Sequence, residues 1–204
     1  MAYAGSYPAP AVAAVPLTIK ILIAGGFGAG KTTMVSSVSE IRPLRTEEDL
    51  SEPGAQVDLT TGVEGKTTTT VAMDFGRITI RDDLVVYLFG TPGQKRFWFM
   101  WDELATGALG AVVIADTRRL DDSFASIDYF ERMGTPFVVA VNRFDGAQRF
   151  PAEEVRSALV LNPEVPILHC DVRHRASSRD VLVALVEHAL QLLRSANGHV
   201  TPAR

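Results

Sequence analysis

Apolar positions along the chain fall into two kinds of run. Ile19-Lys20-Ile21-Leu22-Ile23-Ala24, Leu84 to Phe89, Leu109 to Ala115, Pro136 to Val141 and Val165 to His169 are short and nearly unbroken. Such runs predict strands, and the most continuous of them, Leu109 to Ala115, predicts one buried on both faces of a sheet. Between them apolar residues recur at helical spacing: Met34, Val35, Val38 and Ile41; Phe124, Ile127 and Phe130 within Asp121 to Met133; the stretch Pro151 to Leu161; and Val181, Leu182, Leu185, Ala189 and Leu192 within Ser178 to Leu193, all five expected to face inward. The first helix should start at Lys31 and stop near Ile41, because Arg42 precedes Pro43 and is steered out of the helical region. Thr67 to Ile80 is rich in β-branched residues and is joined by Arg81-Asp82-Asp83 to Leu84 to Phe89, which predicts an antiparallel hairpin. Arg45 to Lys66 shows little periodicity and reads as a long loop. Phe97 to Leu104 reads as an aromatic-rich helical segment.

Strands alternating with helices after one hairpin imply an α/β fold: a mostly parallel six-stranded sheet with one antiparallel hairpin strand and helices on both faces. The expected domain runs from 17 to 195, with an Ala/Pro-rich tail at 1–16 expected to be disordered and a flexible tail at 196–204. A chain of 204 residues with 47% hydrophobic residues suits one domain of that kind. The formal charge of −4 and pI near 5.6 argue against nucleic acid as a partner, since a basic stripe is absent. Cys170 is the sole cysteine, which rules out an intramolecular disulfide and suits a reducing cytoplasm. No basic leader, unbroken apolar span or lipidation pattern is present, so direct membrane insertion is not expected and recruitment to a membrane would need a partner.

The chemistry begins where the first strand ends. Gly25-Gly26-Phe27-Gly28-Ala29-Gly30-Lys31-Thr32, followed by Thr33, matches G-x-x-x-x-G-K-T, a phosphate-binding loop, or P-loop. The glycines let successive N–H groups point at one anionic centre, and the following helix adds its unsatisfied N–H groups and the positive end of its dipole. Lys31 is then placed to reach β- and γ-phosphates, and Thr32 to offer a hydroxyl to Mg²⁺. Ligands of parallel sheets sit at the carboxyl ends of the strands, which gathers the loops after Ala24, Phe89, Val141 and Cys170 on one rim. Thr91-Pro92-Gly93-Gln94, alone an ordinary turn, would there bring a glycine N–H to a γ-phosphate and a glutamine amide to an attacking water. Asn142 and Asp145 would meet the base: a carboxylate can accept two N–H bonds from a guanine edge, and adenine offers no matching pair.

The ordered set of the P-loop, the threonine run, Gly90-Thr91-Pro92-Gly93-Gln94 and Asn142-Arg143-Phe144-Asp145 resembles a Ras-like small GTPase over about Leu17 to Leu193. More narrowly it resembles the bacterial branch that includes the conservon-type GTPases of actinobacteria and the gliding-motility GTPases. The resemblance implies a P-loop NTPase of G-domain fold, GTP and GDP as ligands, Mg²⁺, slow hydrolysis and a signalling role. It further implies a roadblock-type regulatory protein and a sensor-kinase system as partners. Carried over by residue, Lys31, Gly93 and Gln94 would be catalytic, and Thr70, four residues before Asp74, would close with Thr32 on the metal. Asn142, Arg143 and Asp145 would hold the base, with Asp171-Val172-Arg173 beside it and the Val172 N–H reading the guanine oxygen. Three residues depart from that pattern: Gly90 stands in place of a metal-holding aspartate, Phe27 in place of a loop glycine, and Arg143 in place of a lysine. Two alternatives follow, a nucleotide-binding pseudo-GTPase with negligible hydrolysis and a P-loop ATPase or small-molecule kinase.

Other residues stand out less. Phe97, Trp98, Phe99, Met100 and Trp101 cannot all face one core from a helix, so they are divided between core packing and a partner surface. Arg118-Arg119 reads as a solvated pair or an arginine finger in trans. His169, His174, His188 and His199 lack metal-ligand spacing.

Overall fold

The computed structural model describes residues 15–42, 44–51, 68–93 and 100–198. Seven strands form one sheet: β1 (Leu17–Gly25), β2 (Leu44–Ser51), β3 (Thr68–Arg81), β4 (Leu84–Gly90), β5 (Gly110–Ala115), β6 (Phe137–Asn142) and β7 (Ile167–Cys170). Their order is β2-β3-β4-β1-β5-β6-β7. β1 lies between β4 and β5 and runs parallel to both, and β5, β6 and β7 continue in parallel. Only β2–β3 and β3–β4 are antiparallel. Five helices cover the sheet: α1 (Lys31–Val38), α2 (Trp101–Ala105), α3 (Phe124–Met133), α4 (Ala152–Leu159) and α5 (Arg175–Gly198).

Alternation along β1 divides the core in two. Ile21 and Ile23 face the layer that also holds Met34 and Val38 of α1 and Leu185 of α5, while Leu22 and Ala24 face Trp101, Ile127, Phe130, Val155 and Leu159 from α2, α3 and α4. Phe130 is fully buried, with its ring centroid 5.7 Å from Trp101 and 5.2 Å from Tyr129. Burying a side chain of this size contributes about 1.5–3 kcal/mol. Trp101 therefore belongs to the core side of the aromatic segment and holds the chain that leaves the Pro92 loop, to whose carbonyl its Nε1 donates at 3.4 Å. Phe97 to Phe99 lie outside the described residues, as do most of the 1–16 tail and 199–204.

The architecture is the α/β fold expected, with four differences. β2 is a seventh strand inside the stretch read as a loop; its sequence, LRTEEDLS, is charged as edge strands commonly are, so it carries no apolar signature. α1 ends at Val38, not near Ile41. Ser39 is extended, and its hydroxyl donates to Ile41 O at 2.8 Å and accepts from Arg77 N–H at 3.2 Å, which fastens the chain to β3 before another turn can form. Phe124, at the start of α3, is partly exposed. α5 begins three residues early and runs to Gly198; Val181, Leu182, Leu185 and Ala189 are buried, but Leu192 is exposed with its neighbours Leu190 and Leu193. The helix thus also passes the domain boundary set at 195. No described helix is long and apolar enough to cross a membrane.

Candidate functional site

β1 delivers the P-loop to the carboxyl edge of the sheet. Gly30 closes it at φ +114°, a left-handed conformation that glycine adopts without steric cost. A Cβ there would also stand 2.8 Å from Asn142 Nδ2 and 3.0 Å from Val172 Cγ2, so the glycine lets the loops after β6 and β7 touch the P-loop. Lys31, the first residue of α1, folds back and donates to Gly25 O at 2.9 Å and Gly26 O at 2.7 Å. Burial pushes its ammonium down to about 8, against the opposing pull of the Asp74 and Asp122 carboxylates. Gly93 is brought to the same place: a Cβ on it would lie 2.8 Å from Lys31 Nζ and 3.3 Å from Phe27 N. Thr32 Oγ1 donates to Asp74 Oδ2 at 2.5 Å. Phe27 projects outward, 69% exposed, and its carbonyl accepts from Arg119 Nη2 at 2.7 Å. Ala29 is buried, Gly28 and Thr33 are exposed.

The base side is built from β6 and β7. Asn142 is 5% exposed and acts as a strut: its Nδ2 donates to Ala29 O at 3.0 Å, and its Oδ1 accepts from Val172 N–H at 3.2 Å. The N–H expected to read a guanine oxygen is thus engaged by Asn142 here. Asp145 stands at the mouth of a cavity of about 610 Å³ lined by Thr117, Asn142 to Pro151, His169, Asp171 and Arg173. Arg173 grips it in a fork, Nη1 to Oδ2 at 2.9 Å and Nη2 to Oδ1 at 3.1 Å, while Nε and Nη2 hold Asp171 at 2.9 and 2.8 Å. These bonds hold the Asp145 carboxyl below its usual range and bring Asp171 to about 2. The Arg143 side chain is exposed at the rim.

Sequence reasoning missed several residues here. Asp116, buried at the end of β5, takes Arg118 through two bonds of 2.9 and 2.7 Å, and the Arg118 guanidinium lies 3.7 Å over the Phe144 ring. Arg118 is therefore part of the wall beside the base cavity, and Arg119 braces the P-loop; neither is a loosely solvated residue. A buried strand ending in Asp-x-Arg is the signal that would have found the first pair. In the sequence pattern Asp74 serves only as the marker four residues past Thr70. In β3 the Thr70 backbone pairs with Asp49 of β2, about 13 Å along the strand from Asp74. Gln94 lies outside the described residues. Among the described residues, no group of three or more His, Cys, Asp or Glu is placed to hold a metal.

Residues 23–192 match the protein family described as "Conserved hypothetical ATP binding protein". The chain belongs to that family. The matched span opens on the end of β1 and carries both the P-loop and the base-side loops. The chain is also similar to an uncharacterized protein of Methanocaldococcus jannaschii, 30% identical over 129 residues, or 62% of this chain and 71% of that protein. Among solved structures, the G domain of the T. maritima FeoB iron transporter aligns with a TM-score of 0.57 at 17% identity, covering 85% of this chain and 99% of that one. The cytosolic domain of the same transporter in a GDP form aligns with a TM-score of 0.60 at 16% identity, covering 86% of this chain and 65% of that one. At such identities the structures establish the fold: a P-loop α/β fold like that of G domains.

Proposed function

We propose that the chain is a GTP- and GDP-binding switch that hydrolyses GTP slowly and signals through a protein partner. The observation that carries this reading is the fork between Arg173 and Asp145. Two N–H groups of a planar cation meet the two carboxylate oxygens in parallel, at 2.9 and 3.1 Å. Guanine presents a like pair from its ring N–H and exocyclic amine, whereas adenine presents one donor and one acceptor; the guanidinium stands in for the guanine edge. Arg173 would swing aside to admit the base, with Arg143 lying along its face.

At the phosphate end, Lys31 would exchange two loop carbonyls for phosphate oxygens, and the P-loop N–H groups with the N-terminus of α1 would take the remaining charge. The Thr32 hydroxyl would help to hold Mg²⁺, which would supply countercharge to the phosphates. Gly93, already beside Lys31, would give its N–H to the γ-phosphate, and Gln94 would orient water. Thr70 could join them only in a state in which the Thr68–Ala72 end of β3 has parted from β2. Turnover in such sites is on the order of 10⁻⁴ to 10⁻² s⁻¹ without an activator. A roadblock-type protein would regulate the switch and a sensor-kinase system would read it, in the cytoplasm or at a membrane to which the partner recruits it.

The family's description favours a second reading, an ATP-binding protein or ATPase. The exposed Phe27 favours a third, nucleotide binding with negligible hydrolysis, because its ring would crowd an incoming arginine or water. Identifying the nucleotide that copurifies with the protein, after denaturation, separates the first two: guanine is expected, and ADP or ATP would overturn the assignment. Single-turnover hydrolysis with Mg²⁺ separates the third. Gln94→Ala should slow a measurable rate, and an already negligible wild-type rate unaffected by the change would favour the non-hydrolysing reading.

A further inference from the structure

The geometry points to Asp74 as the carboxylate of the metal site, carried one strand over from the position where the Ras-like pattern places it. This rests on the nucleotide-binding reading above and adds a residue to it. Three observations converge on the assignment.

First, Asp74 of β3 and Gly90 of β4 are direct partners in the antiparallel ladder, so their side chains share one face of the sheet. Either position can therefore aim a carboxylate at the same rim. Second, side chains at the two positions would crowd one space, so that one must give way to the other. A Cβ at Gly90 would lie 3.0 Å from Asp74 Cβ and 3.2 Å from Asp74 Oδ2. The absent aspartate at 90 and the present one at 74 are thus two halves of one exchange: glycine removes the side chain that would occupy the space Asp74 uses. Third, the Asp74 carboxylate is directed at the hydroxyl of the P-loop threonine, with Oδ2 2.5 Å from Thr32 Oγ1.

Hydroxyl and carboxylate oxygens are the donors that Mg²⁺ prefers, and the ion usually takes one or two protein carboxylates together with phosphate oxygens and waters. Neighbouring ligand oxygens in an octahedral Mg²⁺ shell stand about 2.9 Å apart, given metal–oxygen distances near 2.0–2.1 Å. The Thr32–Asp74 pair is within a few tenths of an ångström of that spacing. Without a cation the pair is satisfied by its own hydrogen bond. With one, the threonine proton has only to turn away, and both oxygens face the metal.

The test is the rate of release of a fluorescent diphosphate nucleotide, measured for GDP and for ADP in Mg²⁺ and in EDTA. Wild-type protein should release its nucleotide about tenfold to a hundredfold more slowly in Mg²⁺, the range by which such metal partners act. Asp74→Asn keeps the shape and the acceptor for Thr32, so whatever its rate in EDTA, the ratio of its EDTA rate to its Mg²⁺ rate should fall to about threefold or less. Paired Asp74→Gly and Gly90→Asp substitutions return the carboxylate to β4 and should restore most of the Mg²⁺ effect. An undiminished Mg²⁺ effect in Asp74→Asn overturns the assignment. So does a double variant that folds, retains nucleotide in EDTA and shows no difference between its EDTA and Mg²⁺ rates. Retention of ADP in place of GDP would sink the guanine reading and leave the metal assignment standing on the same ratio; a protein that holds neither nucleotide would overturn both.

Discussion

The two ends of the site are held by different kinds of bond. At the base end, Asn142 ties the Ala29 carbonyl to the Val172 N–H, and Arg173 ties the Asp145 carboxylate to that of Asp171. At the phosphate end, a cation is parked on backbone carbonyls and a threonine on an aspartate, both poised to trade those partners for anionic oxygen or a metal. On the guanine reading, Arg173 is a plug that the base would displace from Asp145, and the phosphate end is a set of charges that anionic oxygen or a metal would meet. Specificity should reside in the first end and most of the binding energy in the second.

Removing Lys31 is the strongest way to break that division. Lys31→Ala should weaken GDP binding by about 30-fold to 1000-fold, the range for stripping one partner from a desolvated charge pair, and it should weaken ADP binding as strongly, because the lysine does not see the base. Titration calorimetry with both nucleotides reads this, and a loss confined to GDP would contradict it. pH examines the same group more gently. The free ammonium is lowered from 10.5 to about 8 by burial, so it loses its proton as pH rises through about 8, and phosphate binding requires it charged. Affinity should therefore hold below pH 8 and fall above it, by up to about tenfold per pH unit, with proton uptake on binding. Calorimetry in buffers of different ionisation enthalpy detects that uptake, and pH-independent affinity from 7 to 9.5 would contradict it. The smallest effect belongs to the plug. Arg173→Ala should speed GDP association by about twofold to fivefold, as expected of an exposed ion pair, and leave ADP association unchanged. Slower GDP association would assign Arg173 to holding the base and deny that it blocks it.

Much of this was legible in the sequence because it is local. The P-loop is a contiguous string whose glycines have backbone reasons, and β1, β5 and β6 are apolar runs that both faces of a sheet demand. Asn142 and Asp145 are legible because they stand three positions apart directly after the apolar run that ends at Val141. What was illegible is what depends on pairing across strands or loops. β2 hides because a charged edge strand looks like a loop until β3 supplies its ladder. The link between Asp74 and Gly90 exists only in the β3–β4 register, sixteen positions apart in the chain. Arg173 on Asp145 joins loops after two different strands, and Ser39 ends α1 through a bond to Arg77 that no helix propensity contains.

The central claim is that Asp145 makes this member of the family a guanine-nucleotide protein. It is tested most directly by titrating nucleotide-free protein with GDP and with ADP in Mg²⁺, wild type beside Asp145→Ala, with circular dichroism confirming that both are folded. Wild type should bind GDP about a hundredfold more tightly than ADP, and Asp145→Ala should bring the two within about threefold by weakening GDP alone. Equal affinities in wild type, or a GDP preference that survives loss of the Asp145 carboxylate, would contradict the account.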